Sequence, residues 1–531
     1  MQLPSIAADV KPTLTSPWPS RAGLHHWMAD VVGVAIPRVA VCPDHQAPLD
    51  FVWAIFNHDI SDALVMANRG GGKTIDVAAL HLANGHFKPG FETSHIGAIK
   101  MQAKRCYRYY RQGLKHESLR AQAPDPHIES TEWANGSTIE ILPGTESQTQ
   151  GGHPMLVAFD ELESGKLQPY ENSKAMPTEW TDENGNKHVG QFIATSTRVT
   201  SLGLMQHALD EALENSIPIF VWCIMETMEP CDGQDGRPAC SGEECPLWQW
   251  CGPCGCGNPA EPHGRVVHAD GWRSLSDVLS FYNRVSQDTW EAQGLCLKPE
   301  AKALIYANFT ELNVSEDAEY EPDGGLLAIC YDWGFTDPYH VGMLQVDDGV
   351  YYQFDELHGT TTSEREIVRS LVRRITEFEG YDGPTYEEWG EIWVGRKPWP
   401  KPWPKVWPDL AAGDPSAVQL RAELKAHGIA TKPPRLVKHD VEAGQDVMRA
   451  AISTAGGLRR YVVNPRCAVT IRGFQNYRAR ELDDGSFTAK PDPDAANHRF
   501  SHPTDAVRYL MWTQRRALGL SAIEGGEGGQ N

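Results

Sequence analysis

The sequence predicts an α/β protein in which two sheet-containing domains follow each other, with a cysteine-rich insertion between them. Three observations lead to this prediction. Short apolar runs that suit buried strands alternate with amphipathic helical stretches in both halves of the chain. A length of 531 residues exceeds what one hydrophobic core usually organises. Six of the twelve cysteines lie between Cys231 and Cys256.

The composition limits the kinds of protein that this chain can be. Hydrophobic residues make up 41% and charged residues 22% of the sequence, as in an ordinary globular protein. The formal net charge of −22 argues against coating DNA through overall positive charge, but it is compatible with a local basic track. The sequence has neither an apolar run that would span a membrane nor a secretory signal at its start, so we expect a reducing compartment.

A glycine-rich loop follows the first predicted strand. Residues Asp62–Thr74 read DALVMANRGGGKT, in which Ala63–Ala67 suits a buried parallel strand, and a helical stretch follows. This order predicts a phosphate-binding loop, with Lys73 at the β- and γ-phosphates and the Thr74 hydroxyl on Mg²⁺. Ala67 replaces the first glycine of the usual pattern, so an ordinary glycine-rich turn is the alternative. The loop residues expected to bind ATP are Asn68, Arg69, Gly70, Gly71, Gly72, Lys73 and Thr74.

A second apolar strand, Met155–Phe159, ends in the acids Asp160 and Glu161. A carboxylate at the carboxyl end of a strand can hold Mg²⁺, and an adjacent Glu can polarise the water that attacks the nucleotide. Many strands end in solvated acids, so this pair indicates an ATPase only in combination with the glycine loop.

Further predicted strands, within 94–100, 138–142 and 191–199, complete a parallel sheet flanked by helices. The last strand runs into three hydroxyl residues, Thr195, Ser196 and Thr197. These hydroxyls could sense the γ-phosphate and pass that state to an element that grips DNA. A polar loop without such a role explains them equally well.

The cysteine-rich segment predicts a metal site. Cys251 and Cys254 have the two-residue spacing that lets one turn present two sulfurs to an ion, and Cys240 and Cys245 complete a Cys₄ set. Gly, Pro and Asp dominate the segment, so a metal, with zinc favoured over an iron–sulfur cluster, would supply the stability that burial does not. Alternative or additional ligands are Cys231, Cys256, His263 and His268. The six cysteines outside the segment fit small buried apolar residues.

The C-terminal half opens with the element order of an RNase H-like nuclease. Leu326–Tyr331 predicts a buried strand that ends at Asp332. Two further strands, Tyr339–Gln345 and Val350–Phe354, are joined at an Asp-Gly turn. Residues 363–375 then place apolar side chains on one helix face.

Three acids in this half are candidate ligands and catalytic residues of a two-metal nuclease. Such a site needs carboxylates from distant parts of the chain to hold Mg²⁺ or Mn²⁺ ions about 4 Å apart. Asp332 ends the first strand, Asp414 follows an apolar-leaning stretch and precedes a helix, and Asp505 is expected to open the last helix. Each acid alone also fits a helix cap or a surface charge.

Six short motifs make the sequence resemble the large subunits of phage terminases. ANRGGGKT, FDELE and ATST occur in the order of the ATPase motifs of that family, and DWG, GDPS and HPTDAVRYL in the order of its nuclease motifs. The resemblance runs from about Arg38 to Trp512. It implies that Arg69 acts catalytically on the γ-phosphate of the same chain, that Gln46 contacts adenine, and that His502 joins the metal site. It also implies a further acidic ligand, Glu356, although Asp355 is equally placed.

The resemblance implies a motor that hydrolyses ATP to move double-stranded viral DNA into a procapsid, and a Mg²⁺- or Mn²⁺-dependent nuclease that cuts concatemeric DNA. The implied partners are a portal protein, a small terminase subunit and further copies of the chain in a ring. The implied location is the host cytoplasm and not the mature virion. Two alternatives are a helicase-like or repair ATPase fused to a nuclease, and a non-catalytic DNA-binding adaptor whose zinc knuckle is the working part.

We expect six segments along the chain. They are a lead-in with the adenine-side segment (1–60), the ATPase core (61–222), the cysteine-rich knuckle and lid (223–297), a linker (298–325), the nuclease (326–517) and a disordered tail (518–531). Residues 393–408 alternate Pro, Lys and Trp, which suits an exposed rigid loop that touches DNA or docks a partner.

Overall fold

The structure is a computed structural model of the chain. It describes residues 19–33, 35–123, 126–147, 149, 152–199, 203–256, 263–298, 303–322, 324–333, 339–360, 363–378, 391, 408–426, 429–431, 440–482, 487–493 and 495–520. Most of the Pro-Lys-Trp segment (393–407) and most of the predicted tail (521–531) lie outside these residues. The chain forms two compact units, Met1–Ser280 with Trp290–Pro299, and Phe281–Thr289 with Glu300–Asn531.

The first unit alternates helices and strands, as the spacing of apolar runs predicts. Its helices are α1 (Arg21–Val32), α2 (Pro48–Phe56), α3 (Lys73–Phe87), α4 (Lys100–Gly113), α5 (Glu117–Arg120), α6 (Leu167–Lys174), α7 (Leu204–Glu214) and α8 (Trp248–Cys251), and α9 (Leu275–Tyr282) spans the boundary between the units. Its strands are β1 (Asp62–Ala67), β2 (Glu92–Gly97), β3 (Ser130–Glu132), β4 (Thr138–Pro143), β5 (Leu156–Asp160), β6 (Trp180–Thr181), β7 (Lys187–His188), β8 (Gln191–Ser196) and β9 (Ile219–Trp222).

Seven of these strands form one sheet in the order β3-β4-β2-β5-β8-β1-β9. All neighbouring pairs are parallel except β3 with β4. Continuous apolar runs such as Leu156–Phe159 are buried because helices cover both faces of a parallel sheet. The register pairs Asp160 with Thr195, so the ends of β5 and β8 meet at the carboxyl edge of the sheet. That edge is where ligands bind in open α/β sheets.

The second unit is built on a smaller mixed sheet. Its strands are β10 (Leu326–Asp332), β11 (Tyr339–Asp347), β12 (Val350–Gly359), β13 (Leu410–Gly413), β14 (Tyr461–Val463), β15 (Ala479–Glu481) and β16 (Phe487–Pro491). Its helices are α10 (Gln287–Thr289), α11 (Glu364–Phe378), α12 (Val418–Ala426), α13 (Asp440–Ile452), α14 (Ala468–Asn476) and α15 (Ala495–Gln514). The main sheet has the order β13-β10-β11-β12-β14, with β10, β11 and β12 antiparallel and with β13 and β14 added in parallel at its two edges.

Two expectations differ from the structure of the second unit. Residues 303–322, expected to be a linker, belong to this unit, and Ile305, Tyr306 and Phe309 lie in its hydrophobic core. The prediction that Asp505 opens the last helix is wrong, because α15 begins at Ala495 and continues through Pro503. Proline usually marks the first turn of a helix, but here apolar packing on the sheet maintains the helix on both sides of it.

Among the residues that the structure describes, no helix is long and apolar enough to cross a membrane.

Candidate functional site

The turn between β1 and α3 requires glycine at several positions. Gly70 and Gly72 have φ angles of 71° and 87°, a left-handed conformation that side chains disfavour. A Cβ atom on Gly71 would lie 2.2 Å from Asn68 Oδ1. The Trp222 indole N–H donates to Gly71 O over 2.9 Å and helps to fix the turn. The loop therefore curls tightly at the start of α3, as a phosphate-binding loop must.

The first residues of α3 contact the ends of two other strands. Lys73, which is 5% exposed, donates from Nζ to Thr197 Oγ1 over 2.6 Å and to the carbonyl oxygen of Asn68 over 3.2 Å. The Thr74 hydroxyl donates to Asp160 Oδ2 over 2.9 Å. The loop, the Asp-Glu strand and the hydroxyl segment thus meet in one place.

The acids after β5 occupy different environments. Asp160 is almost fully buried, and its second oxygen accepts from Thr195 Oγ1 over 2.6 Å. Glu161 has a φ of 57°, which directs the chain sharply away from the strand. Burial raises the pKa of Glu161, and the charge of Lys73 opposes that shift. A carboxylate in this setting suits a base that orients a water molecule.

The three hydroxyl residues of the ATST motif contact the other parts of this site. Thr195 bonds to Asp160 and Thr197 to Lys73, as described above. Ser196 Oγ accepts from the N–H of Glu163 over 2.9 Å, and Glu163 Oε2 accepts from the N–H of Met205 in α7 over 2.9 Å. A chain of hydrogen bonds therefore runs from the phosphate loop region to α7.

A cavity of about 1040 Å³ opens over the loop. Its lining includes Gly70–Thr74, Asp160 and Glu161, together with two residues that the sequence analysis missed, Arg105 on α4 and Trp272. A Cβ on Gly72 would lie 2.7 Å from the Trp272 ring, so this ring covers the loop. The helical pattern of α4 predicted a helix but not which of its basic residues faces the cavity. Trp272 lies far along the chain, and no local motif marks it.

Two residues implied by the resemblance are not among the residues that line this cavity. Arg69 donates from Nη1 to Gln293 Oε1 over 3.2 Å, and its backbone N–H donates to the carbonyl oxygen of Gln293 over 2.7 Å. Burial lowers the pKa of Arg69, and Glu161 opposes that shift. Gln46 pairs with β9: its backbone N–H donates to the carbonyl oxygen of Val221, and its Oε1 accepts from the N–H of Val221, each over 2.9 Å.

In the second unit, the predicted nuclease acids converge at the end of β10. The register pairs Tyr331 with Gly413, which places Asp332 and Asp414 on adjacent strand ends. Asp505 and His502 are carried by α15, which packs against β10 and β13. His502 Nδ1 lies 2.6 Å from Asp332 Oδ2. Asp332, Asp414 and His502 are each less than 10% exposed.

The electrostatics of this group fit a site for divalent cations. Burial raises the pKa of Asp332 to about 6, and the charges of Asp505 and Asp414 add to that rise, while His502 opposes it. Asp505 Oδ1 accepts from Arg508 Nε over 2.9 Å, and Asp414 Oδ1 accepts from the N–H of Ser416 over 2.8 Å. Mutually repelling carboxylates in a buried position are stabilised when a cation binds between them.

The two further acids on β12 have structural contacts. Both oxygens of Glu356 accept from backbone N–H groups at the start of α14, from Val469 over 2.8 Å and from Thr470 over 2.9 Å. Glu356 therefore caps a helix, where a negative charge is favourable. Asp355 forms an ion pair with Arg374 of α11.

The cysteine set that surrounds one small cavity differs from the predicted set. Cys231, Cys240, Cys245 and Cys251 line a cavity of about 30 Å³. Cys254 is bonded to Cys256, whose sulfur lies 3.0 Å from His268 Nε2. Cys251 lines the cavity whereas Cys254 does not, and the chain turns between them at Gly252, which has a φ of 60°. Burial and the three neighbouring cysteines raise the pKa of Cys231 to about 12, and a cation at this position would relieve that repulsion.

No protein-family profile and no curated protein matches the chain. The structure is similar to solved structures of the large terminase from a thermophilic bacteriophage. One crystal form has a TM-score of 0.54 and 15% sequence identity, over 88% of this chain and 98% of that chain. The complexes of the same phage protein with ATP-gamma-S and with ADP have TM-scores of 0.52 and 0.51 at 15% identity, over 87% of this chain and 97% and 98% of theirs. The predicted fold class is thereby confirmed, and the chain has the fold of a phage large terminase.

Proposed function

We propose that this chain is a terminase large subunit that hydrolyses ATP to drive double-stranded viral DNA into a procapsid and cuts concatemeric DNA. The observation that carries the proposal is that each unit gathers its own buried acids at the carboxyl end of a sheet. Asp160 and Glu161 meet the phosphate loop in one unit, and Asp332 and Asp414 meet His502 in the other. The similarity to large terminase structures that hold ATP-gamma-S and ADP supports nucleotide use by the first unit.

The first unit has the groups that ATP hydrolysis requires. The loop N–H groups and Lys73 would bind the phosphates, and Thr74 with Asp160 would hold Mg²⁺, which neutralises charge on the transferred phosphoryl group. Glu161 would orient the attacking water and accept its proton. Lys73 now bonds to Thr197, so phosphate binding would compete for the ammonium group and release that hydroxyl. This exchange gives Thr195, Ser196 and Thr197 a route to signal the nucleotide state to α7.

The roles of two nearby residues follow from their positions. Arg69 is close enough to Glu161 for their charges to interact, and a change of its bonds to Gln293 would bring the guanidinium to the γ-phosphate. Gln46 would contact adenine from beside β9 through its amide N–H₂, which now donates to the carbonyl oxygen of Asp44 over 3.4 Å. Arg105, which lines the cavity, is a second candidate for neutralising the negative charge of the phosphates.

The second unit has the groups that two-metal DNA cleavage requires. Asp332, Asp414 and Asp505 would hold Mg²⁺ or Mn²⁺, which supplies a metal-activated water and stabilises the leaving oxygen. His502 would orient the Asp332 carboxylate by the 2.6 Å contact, and it lies near enough to serve as a ligand itself. Glu356 holds α14 in place and is proposed here as a supporting residue.

A basic face on α4 is the proposed contact for double-stranded DNA in the first unit. It consists of Lys104, Arg108 and Arg111 on α4, with Lys115 just after the helix and Arg120 at the end of α5. All five are exposed and line a surface hollow of about 1140 Å³. A cluster of basic side chains on a chain of net charge −22 fits a local contact surface for the phosphate backbone of DNA. The same helix carries Arg105 in the ATP cavity, so α4 could link nucleotide state to DNA contact.

The remaining parts of the proposal come from the terminase assignment. They are a portal protein, a small terminase subunit, a ring of copies on the portal, and action in the host cytoplasm. We also propose that zinc binds Cys231, Cys240, Cys245 and Cys251 and stabilises the insertion, because four thiols face one small cavity in a segment with few aliphatic residues.

The two activities should separate cleanly by mutation. Glu161→Gln should lower ATP turnover by about 10²–10⁴-fold while ATP still binds, because only the proton acceptor is lost. Asp332→Asn should lower Mn²⁺-dependent plasmid cutting by about 100-fold and leave ATP turnover unchanged. Glu214→Gln and Asp347→Asn change exposed acids of the same units and should alter neither activity.

Loss of both activities in either site variant would contradict the division of function between the two units. Unwinding of a forked duplex by the wild-type protein alone would favour a helicase.

Zinc content should distinguish the two cysteine sets. Cys231→Ser should lose one equivalent of zinc and lower the thermal midpoint, because it removes a ligand at the shared cavity. Cys254→Ser should keep that equivalent, because its sulfur belongs to the other group. Metal analysis of dialysed protein measures both. If Cys254→Ser lost zinc and Cys231→Ser retained it, the result would support the ligand set that cysteine spacing predicts, which includes Cys254.

Reversal of charge on the basic face should weaken DNA binding without harming the ATP site. Replacing Arg108 and Arg111 together by Glu should reduce the slope of log Kd against log salt by about 2, because about one phosphate contact is lost per residue. Basal ATP turnover should stay unchanged, since neither residue lines the ATP cavity. Lys166→Glu, on an exposed residue of the same unit, serves as the control. An unchanged slope would exclude this face as the DNA contact.

A further inference from the structure

Four potential metal ligands meet on the first unit, apart from the phosphate loop and outside the cysteine-rich segment. Cys42 and His45 precede α2, and Cys223 and Glu226 follow β9. One ligand atom from each residue lies within 4.8 Å of all the others. The proposed function uses none of the four side chains. From the sequence alone, Cys42 and Cys223 fit small buried apolar residues, and they lie 181 positions apart along the chain.

The distances in this cluster suit a tetrahedral ion. Cys42 Sγ and Cys223 Sγ are 3.6 Å apart, and His45 Nδ1 is 3.1 Å from Glu226 Oε2. Two sulfurs at the usual zinc–sulfur distance of about 2.3 Å would be roughly 3.8 Å apart in a tetrahedral site. A nitrogen and an oxygen at about 2.0–2.1 Å from zinc would be roughly 3.3 Å apart.

Backbone hydrogen bonds fix the carboxylate of Glu226, as is common for carboxylates that bind metals. Glu226 is fully buried, and its oxygens accept from the backbone N–H groups of Cys42 and Cys223, each over 2.7 Å. Hydrogen bonds of this kind orient a ligand and hold it ready for the ion. Glu226 Oε2 also pairs with His45 Nδ1, and an ion bound by both atoms would replace that contact.

We propose that Cys42, His45, Cys223 and Glu226 form a structural site for a zinc-class divalent ion, separate from the one at the cysteine-rich segment. Two thiols, an imidazole and a carboxylate are a donor set that prefers zinc to magnesium or calcium. The four ligands come from two stretches of chain that pair through Gln46 and Val221 close by. The ion would therefore fasten the segment before α2 to the end of β9.

This position has a consequence that rests on the proposed function. Gln46, the proposed adenine contact, follows His45 directly. Loss of the ion would loosen the segment that carries Gln46, so the KM for ATP should rise several-fold while the nuclease stays unaffected. The metal content itself does not depend on the ATPase proposal, and so the two can fail separately.

The test is the zinc content of full-length protein, purified without chelators and dialysed. Cys223→Ser should contain one equivalent less than the wild type, and Glu226→Gln should lose the same equivalent to a colorimetric chelator faster than the wild type does. Cys296→Ser is the matched control: this thiol is also buried in the first unit and donates to the carbonyl oxygen of Trp222, but it is outside the cluster. It should keep the wild-type zinc content. Circular dichroism establishes whether each variant is folded.

A second measurement covers the case in which Cys223→Ser does not fold. In cobalt-substituted protein, Cys231→Ser should retain the thiolate-to-cobalt absorption of the Cys42–Cys223 site. The proposal is overturned if Cys223→Ser holds as much zinc as the wild type. It is also overturned if mass spectrometry of the zinc-saturated wild type finds Cys42 and Cys223 joined by a disulfide, or if Cys231→Ser shows no cobalt–thiolate absorption.

Discussion

The hydrogen bonds of Asp160 are the interaction on which the first unit's site depends. One oxygen accepts from Thr74 at the start of α3, and the other accepts from Thr195 at the end of β8. A single buried carboxylate thereby joins the phosphate loop, the acidic strand and the hydroxyl segment. Burying such a charge costs several kcal/mol, and its hydrogen bonds, each worth about 1.5–3 kcal/mol, together offset that cost. The sheet brings these three segments to one edge, and the hydrogen bonds of Asp160 fix their positions relative to one another.

In the second unit, strand pairing again brings acidic residues to one edge of a sheet, but their surroundings differ. Parallel pairing of β10 with β13 brings Asp332 and Asp414 to one edge, and α15 adds His502 and Asp505 from far along the chain. Here the carboxylates are buried and repel each other, and burial with that repulsion raises the pKa of Asp332 to about 6. In the first unit Asp160 accepts from two hydroxyl groups, whereas in the second unit Asp332, Asp414 and Asp505 have protein partners and also lie close enough to raise the pKa of Asp332. This difference fits the proposal that divalent ions bind among the acids of the second site.

The sequence predicted the strands and the acids that end them, because buried parallel strands are short apolar runs and their ends are polar. It also predicted that Asp332, Asp414 and Asp505 converge, since an RNase H-like topology brings those strand and helix positions together. It did not predict Arg105 or Trp272 at the cavity over the glycine-rich loop, because helix periodicity and a lone aromatic residue do not reveal which way a side chain faces. Cys231 lines the small cavity of the cysteine-rich segment and Cys254 does not, and the spacing of the cysteines along the chain does not reveal this difference.

The most direct test of the central claim is anomalous scattering from crystals grown with Mn²⁺ and ATP-gamma-S. The account predicts one manganese peak between Thr74, Asp160 and the nucleotide phosphates, and at least one more bound by Asp332 and Asp414. Substituting Asp332 by Asn should remove the second peak and leave the first. Nucleotide bound away from the loop, or manganese absent from the end of β10 in wild-type crystals, would contradict the account.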